Sequence, residues 1–598
     1  MVITFQPRDL QLRLSDRLDR RAGALRAGSV PAQRRARWLP AALLLMPMGV
    51  WLALGFSAPM LTVVLLSLQS DTGIFASISF IPSVAQFAEV LTDPYYLRML
   101  AQTLWTGLAT ALLAAILGLP VAMWLASLPP RWQPLGVALV LIPLLTNVVV
   151  RSIGLILFMA SNGPLAQLTG IDILFTRTAV IAALTQVFMP FLIMALYDAL
   201  STRDRRIDEA AASLGAASTD RFWFVTLPMA LPALRAGVTI VFLLSATAYV
   251  SATLIGGGRV WVIGRLVYEE ALMIQNYPLA SALAIVLLVA CLAVIWMINM
   301  TFRRLTPWLQ SASDRPVTGD GFGLTLPAGT RTVIRTLAPV VRRLLIAVAL
   351  VLLVGPLAFV ALNSVNDVPQ ATAAAWRGFT LKWYVQIFSQ GSNYIDAALL
   401  SARLAAVSAL FAVLIALPAA FALIRYPSRG TSTMGGIFLL PLALPGIALA
   451  LGVLRLLQWF VGIPPFVGLM VVHVVLIAPF TLVMLRAAVQ NLDIRLEEAA
   501  ASLGATPLKA FVLVVLPTLA PAIFASAVIS FLVSFGEVTV TAFLTTARML
   551  TLPVRIYADV QFEVEPTVNV ISVLTIAVTV LALAVINRFV GLDRVWRR

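Results

Sequence analysis

Long apolar stretches constrain this chain more than any other feature. They recur at about 40–66, 101–127, 135–159, 178–199, 235–255, 279–301, 344–363, 397–424, 433–457, 467–488, 522–544 and 569–590. Roughly 20 residues of helix, at 1.5 Å per residue, cross the 30 Å of bilayer hydrocarbon. Lipid offers no partner for backbone N–H and C=O groups, so stretches of this length read as helices that satisfy their own backbone. With 61% hydrophobic and 11% charged residues among 598, too little polar surface remains to cover a soluble core. The expected fold class is an all-α membrane protein with about twelve transmembrane helices.

The net charge of +16 raises the question of nucleic acid. The basic residues are not gathered on one face, as nucleic-acid binding requires. Most fall in the segments that a both-ends-inside topology places in the cytoplasm, which is the positive-inside pattern. Both termini are therefore expected on the cytoplasmic side, with no nucleic-acid partner. Residues 1–38 are Arg-rich, have no apolar core of a cleavable signal, and read as a cytoplasmic tail with an amphipathic stretch near Leu10–Leu25 lying on lipid. Cys291 and His473 are each the single residue of their type, so neither an internal disulfide nor a metal-ligand cluster is expected. Both read as filler on buried or lipid-facing helices.

The chain repeats itself. Asp208–Ala216 reads DEAAASLGA and Glu497–Ala505 reads EEAAASLGA, 289 residues later. The same offset carries Pro228 onto Pro517 and Pro232 onto Pro521. GLPVAMWLAS at 118–127 is echoed by ALPAAFALIR at 416–425. Each half thus holds six stretches, with the repeated loop between the fourth and fifth. Six is even, so the repeat is parallel rather than inverted. The expected units are a tail (1–38), a first domain (39–302), a Gly-, Pro-, Thr- and Arg-rich linker (303–343) and a second domain (344–598).

In each loop, alanines and a leucine favour a short helix. Asp208 and Glu209 sit where a helix start favours negative charge, and Gly215 suits a left-handed stop. Glu498, Ala499, Ala500, Gly504 and Pro517 repeat Glu209, Ala210, Ala211, Gly215 and Pro228. The blander reading is a turn between spans. Near-identity in two loops at one topological position points instead to a partner with two equivalent sites.

The EAA, Gly, Leu-Pro pattern resembles that of the permease subunits of bacterial ABC importers, over both halves. The resemblance implies that the loops form coupling helices docked on two copies of a cytoplasmic ATPase subunit. It further implies an inner-membrane location and a periplasmic solute-binding protein as partner. The first half, with TLIGGGR at 253–259 and LVYEEALMIQNYPLASALAIVLL at 266–288, is similar to the first subunit of the spermidine/putrescine permease pair. The second half, with FTLKWYVQIF at 379–388, SFGEVTVTAFL at 534–544 and TLPVRIYADVQFEVEPTVNV at 551–570, is similar to the second. Where that second subunit shows an Asp pair, this chain has Gly536-Glu537. Relatives that move opines, phosphonates, ferric iron or thiamine share the architecture, so those solutes stand beside a polyamine-like one.

Nothing in the sequence supplies an engine or an enzyme. Lys382 and Lys509 are the only lysines, and neither belongs to a GxxxxGK[ST] phosphate loop. ATP and Mg are expected in the partner, with no catalytic or metal-binding residue and no cofactor in this chain. Charged residues inside spans default to function. Ser530, Ser534, Glu537 and Thr541 are spaced to form one polar helix face. Ser245 and Tyr249 hold the related positions of the first half, with Ala248 in place of the acid. Thr146, Asn147 and Arg151 mark the third span. For Glu537 and Arg151 the competing reading is a structural hydrogen-bond partner. Arg403 and Arg455 read as snorkelling at span ends. Glu269, Glu270, Asp559, Glu563 and Glu565 form acidic outer patches, read equally well as a binding-protein surface or as solvated loop charge. A different class, an ion-coupled secondary transporter, would more often show broken helices at matching positions of both halves.

Overall fold

The computed structural model describes residues 40–70, 82–305, 328–388, 393–460, 462–546, 549–562 and 565–589. The tail (1–38), most of the expected linker and Glu563 lie outside the described residues. Among the described residues the chain is helical, apart from two isolated β-bridges. Eleven helices there are long and apolar enough to cross a membrane, or twelve when one sharply bent pair counts as a span.

The first half runs α1 (Pro40–Ser67), α2 (Pro94–Ser127), α3 (Gln133–Leu145), α4 (Val148–Met159), α5 (Arg177–Ser201), α6 (Arg205–Ser213), α7 (Leu227–Thr247), α8 (Val250–Gly256), α9 (Ile263–Glu269) and α10 (Tyr277–Leu305). The second half repeats the order with α11 (Ala328–Asn363), α12 (Asn393–Arg425), α13 (Arg429–Leu442), α14 (Gly446–Trp459), α15 (Pro465–Gln490), α16 (Arg495–Ser502), α17 (Leu516–Phe535), α18 (Thr541–Leu544), α19 (Leu552–Phe562) and α20 (Thr567–Phe589). Helix α11 begins at Ala328, so the last part of the expected linker is helical.

Within each half, the second, fourth and fifth spans pack together: α2, α5 and α7, then α12, α15 and α17. Prolines lie inside all six, at Pro120, Pro190, Pro232, Pro418, Pro479 and Pro521. Neighbouring helices make such prolines tolerable in membranes.

The halves are joined by exchange. Helix α1 packs on α14 of the other half, and α11 packs on α4 and α2. Two glycines make this possible. A Cβ on Gly154 of α4 would collide with the carbonyl of Pro356 in α11, and one on Gly452 of α14 with the carbonyl of Pro59 in α1. Small residues let membrane helices approach backbone to backbone, where dispersion rather than the hydrophobic effect holds them.

Four spans expected to be continuous are broken. The stretch 135–159 parts at Thr146–Asn147, between α3 and α4. The stretch 433–457 turns by 89° between α13 and α14. The stretch 235–255 parts at Ala248–Tyr249, and 522–544 at residues 536–540. These are the third and fifth spans of both halves. Side chains at the breaks take up freed backbone donors: Asn147 Oδ1 accepts from Val149 N at 2.7 Å, and Glu537 Oε1 from Val540 N at 2.9 Å.

Gly154→Val and Gly452→Val are each expected to overpack a backbone contact, lowering stability by about 1–3 kcal/mol. A detergent thermal melt of the whole chain measures this. The valines should be worse together than either alone, because the two contacts lie at separate crossings.

Candidate functional site: twin loop helices and a cluster of broken spans

Each repeated loop folds as its sequence dictates. Asp204 Oδ1 accepts from Arg206 N at 2.9 Å, and Asp493 Oδ1 from Arg495 N at 3.0 Å, so each helix starts under an aspartate. Each ends at a glycine in the left-handed region, Gly215 at φ +82° and Gly504 at φ +84°. The paired stop bonds also repeat: Gly215 N to Ala212 O and Ala216 N to Ala211 O, then Gly504 N to Ala501 O and Ala505 N to Ala500 O. A π-helical turn follows at the same place in both halves, Phe222–Thr226 and Phe511–Val515, before Pro228 and Pro517 open α7 and α17.

The motif acids Glu209 and Glu498 are exposed. Their neighbours face inward, Asp208 to Arg203 and Glu497 to Arg425. Ala210 and Ala499 are exposed, whereas Ala211 is half-buried and Ala500 buried. The sequence reading missed the leucine before each glycine. Leu214 is 88% exposed and Leu503 is 90% exposed, each the residue that follows its loop helix, outside the candidate spans. An exposed apolar side chain thus stands at the same place in both loops. Its signal was the leucine's identity in both copies, which had been read only as helix propensity.

The second cluster lies where the broken spans meet. A Cβ on Gly446, at the start of α14, would lie 3.3 Å from Val540, and Gly536 backs onto Asn147. Ser152 of α4 and Ser251 of α8 are hydrogen-bonded at 3.1 Å. Tyr249 stacks on Tyr268 with centroids 5.2 Å apart, and meets Phe543 and Tyr557 of the second half edge-on at 6.3 and 6.5 Å. Aromatic side chains of both halves thus meet at this cluster.

Glu537 does not lie on one continuous helix face with Ser530, Ser534 and Thr541. Helix α17 stops at Phe535, and the chain returns with Thr541 at the start of α18. At the break the carboxylate binds the backbone ahead of it: Oε1 takes Val540 N, and Oε2 takes Thr541 N at 3.0 Å and the Thr541 hydroxyl at 2.6 Å. Ser530 turns to Thr481 of α15, 2.7 Å away.

His473 is not filler. It lies buried on α15, with Nδ1 2.7 Å from Ser534 Oγ and Nε2 3.0 Å from Thr541 Oγ1. The Thr541 hydrogen goes to Glu537, so its oxygen accepts from Nε2–H, and Nδ1 accepts from the Ser534 hydroxyl. The ring bridges both sides of the break. At the 289-residue offset the first half has Leu184, Ala248 and Ala252 in place of His473, Glu537 and Thr541. The sequence did carry a signal, a lone histidine inside an apolar span.

The other candidates turn to local partners. Thr146 donates to Ile142 O and Ser245 to Val241 O, each at 2.6 Å. Arg151 is buried and donates from Nη1 to Val187 O at 2.9 Å, which is the structural reading of that residue. Arg403 is exposed, and Arg455 donates to Gln458 with its guanidinium over Tyr277. The outer acids are only partly free. Glu269 pairs with Arg265 at 2.8 Å, and Asp559, 5% exposed, pairs with Arg555 at 3.0 Å. Glu270 is half-buried, and burial, then the charges of Glu89 and Glu269, push its carboxyl above the usual range. Exposed Glu565 accepts from Thr567 Oγ1.

Paired loop helices below two exchanged bundles define a two-domain transport subunit of the membrane. Residues 118–307 and 408–592 both match the family described as binding-protein-dependent transport system inner membrane component, and the chain belongs to that family. It is a multi-pass ABC importer permease with two permease domains in one polypeptide. It is 32% identical over 246 residues to the spermidine/putrescine transport system permease protein PotB of Salmonella typhimurium strain SL1344, covering 40% of this chain and 85% of that protein. It is 31% identical over 240 residues to the permease protein PotC of the same-named system in Escherichia coli K12, covering 40% of this chain and 89% of that one. A chain from a crystal structure of a bacterial alginate ABC transporter with a pentasaccharide-bound periplasmic protein aligns at TM-score 0.39 and 17% identity, over 46% of this chain and 98% of that chain. Matched broken spans, expected sooner of an ion-coupled carrier, thus occur in a permease whose loops are also matched.

Leu214→Asp and Leu503→Asp are expected to leave the stability of the isolated chain within about 0.5 kcal/mol of wild type, as surface changes do. They should abolish co-purification of a cytoplasmic ATPase, which a mild-detergent pull-down reads.

Proposed function

We propose that this chain forms the translocation path for a small polar solute, delivered by a periplasmic binding protein and driven by two copies of a cytoplasmic ABC ATPase subunit. The observation that carries the reading is the pair of loop helices, α6 and α16, with the same stop and the same exposed leucine. Glu209, Ala210, Ala211, Gly215 and Pro228 serve one ATPase, and Glu498, Ala499, Ala500, Gly504 and Pro517 the other. ATP and Mg reside in those partners. Both termini are cytoplasmic, the tail is residues 1–38, and the domains are 39–302 and 344–598 about a linker.

ATP favours a closed ATPase dimer, and hydrolysis releases it. Each state holds the loop helices at a different separation. The bundles pass that difference to the broken spans as a rigid-body change, and the partner biases it by its different affinity for the two states. The path runs at the breaks, past Thr146, Asn147, Ser245, Tyr249, Ser534, Glu537 and Thr541. A polyamine-like solute fits best. The named relatives are permeases of spermidine/putrescine systems. The chain adds one carboxylate, Glu537, beside stacked tyrosine faces that attract a cation.

Glu209→Ala with Glu498→Ala is expected to lower ATP-driven uptake in proteoliposomes at least tenfold, about 1.4 kcal/mol of coupling. Uptake at the wild-type rate would refute the docking role. Glu537→Gln removes the charge and leaves one acceptor oxygen for the two backbone donors at the break, since an amide NH2 cannot accept. It should slow spermidine uptake more than tenfold while leaving ATPase association intact, which parallel flux and pull-down measurements compare.

A further inference from the structure

The two loop helices are built alike but tied to the membrane differently. In the first half, Asp208 pairs with Arg203 of its own loop, and Arg203 also donates to Thr226 Oγ1 at 2.8 Å, just before α7. This clasp joins the loop helix to the hairpin it belongs to. In the second half those positions are Leu492 and Val515, 289 residues on, and the clasp is gone. Glu497, the counterpart of Asp208, is held by Arg425 at the end of α12. The guanidinium gives Nε to Glu497 Oε1 at 2.8 Å and Nη2 to the Leu492 carbonyl at 3.1 Å. The first-half residue at the place of Arg425 is Ser127, whose hydroxyl turns back to Trp124 O. A ring contact strengthens the second attachment: Phe421, one turn earlier on α12, meets Phe511 edge-on, with centroids 5.5 Å apart.

The same helix is gripped at its other end. Tyr394, in the first turn of α12, donates to Asp559 Oδ2 at 2.5 Å, and Arg555 Nε reaches the same oxygen at 3.0 Å. Asp559 lies on α19 with Tyr557, which faces Tyr249 in the central aromatic cluster. Helix α12 spans 33 residues, about 50 Å at 1.5 Å per residue. It carries one polar anchor to the loop helix and one to the helix beside the central aromatic cluster.

We propose that α12 is a strut through which the second loop helix moves the aromatic cluster, with Arg425 and Tyr394 as positioning residues at its two ends. Among the described residues α2 ends at Ser127 without a tie to α6 like that of Arg425, so the two ATPase strokes are not equivalent: the stroke on α16 works the aromatic cluster directly, and the stroke on α6 moves its own hairpin. The strut rests on the importer reading proposed above.

The test uses the full chain with its ATPase and binding protein in proteoliposomes, with radiolabelled spermidine as probe, and reads solute taken up per ATP hydrolysed. Arg425→Gln and Tyr394→Phe are each expected to lower that ratio about tenfold without loss of assembly, within the range of coupling between distant sites. The double variant should be no worse than either single, because one strut is cut at either end. Exchanging the charges, Arg425→Glu with Glu497→Arg, should restore most of the ratio. An unchanged ratio in Tyr394→Phe, or losses that multiply in the double variant, would overturn the strut. Wild-type uptake that needs no ATP would instead overturn the importer reading beneath it.

Discussion

Backbone groups freed inside a membrane must find partners, and that constraint shapes the centre of this protein. Lipid supplies none, so a span can break only where protein surrounds the gap. The third and fifth spans of both halves break, and the gaps lie against one another between the halves. Asn147 and Glu537 cap two of them with their own side chains. The exchange of α1 and α11 between halves follows, since it wraps each set of breaks in helices of the other half. The close contacts at Gly154 and Gly452 hold that exchange in place.

A duplicated scaffold need not carry duplicated chemistry. The repeat is close in everything that sets shape: the loop stops, the π-helical turns, the prolines within spans, and the glycines at the crossings. It diverges where polar groups are buried. Glu537, His473 and Thr541 form a continuous hydrogen-bonded path in the second half, and apolar residues stand at those positions in the first. Arg203 and Arg425 show the same divergence at the loops, holding equivalent acids from different helices. On the proposed reading, a path between two such halves has a carboxyl group on one wall and apolar side chains at the matching place on the other.

The legible part of the sequence was the part written in local periods. Apolar length gave the spans, and the twin EAA loops gave two short helices that stop at Gly215 and Gly504. The breaks were not legible. An apolar run shows no change of period at Thr146 or Ala248, and Pro445 resembles the prolines that other spans absorb. Glu537 was visible as a charge, but its spacing to Ser534 and Thr541 fitted an unbroken helix. Only the carboxylate's grip on Val540 N and Thr541 N shows that it ends one. His473 looked isolated because its partners lie 61 and 68 residues away.

That distance also explains why the ties at the loops escape local reading. Asp208 and Glu497 look interchangeable in sequence, and each is followed by the exposed acid of the motif. What separates them is a residue 72 positions before Glu497, on another span. An ion pair on a partly shielded surface contributes little to stability by itself, on the order of 1 kcal/mol or less. What it does fix is which helix the loop is tied to, α12 rather than its own hairpin. On the strut proposed above, two loops built alike would receive different work from the two strokes, because one arginine sits on α12 and the other within its own loop.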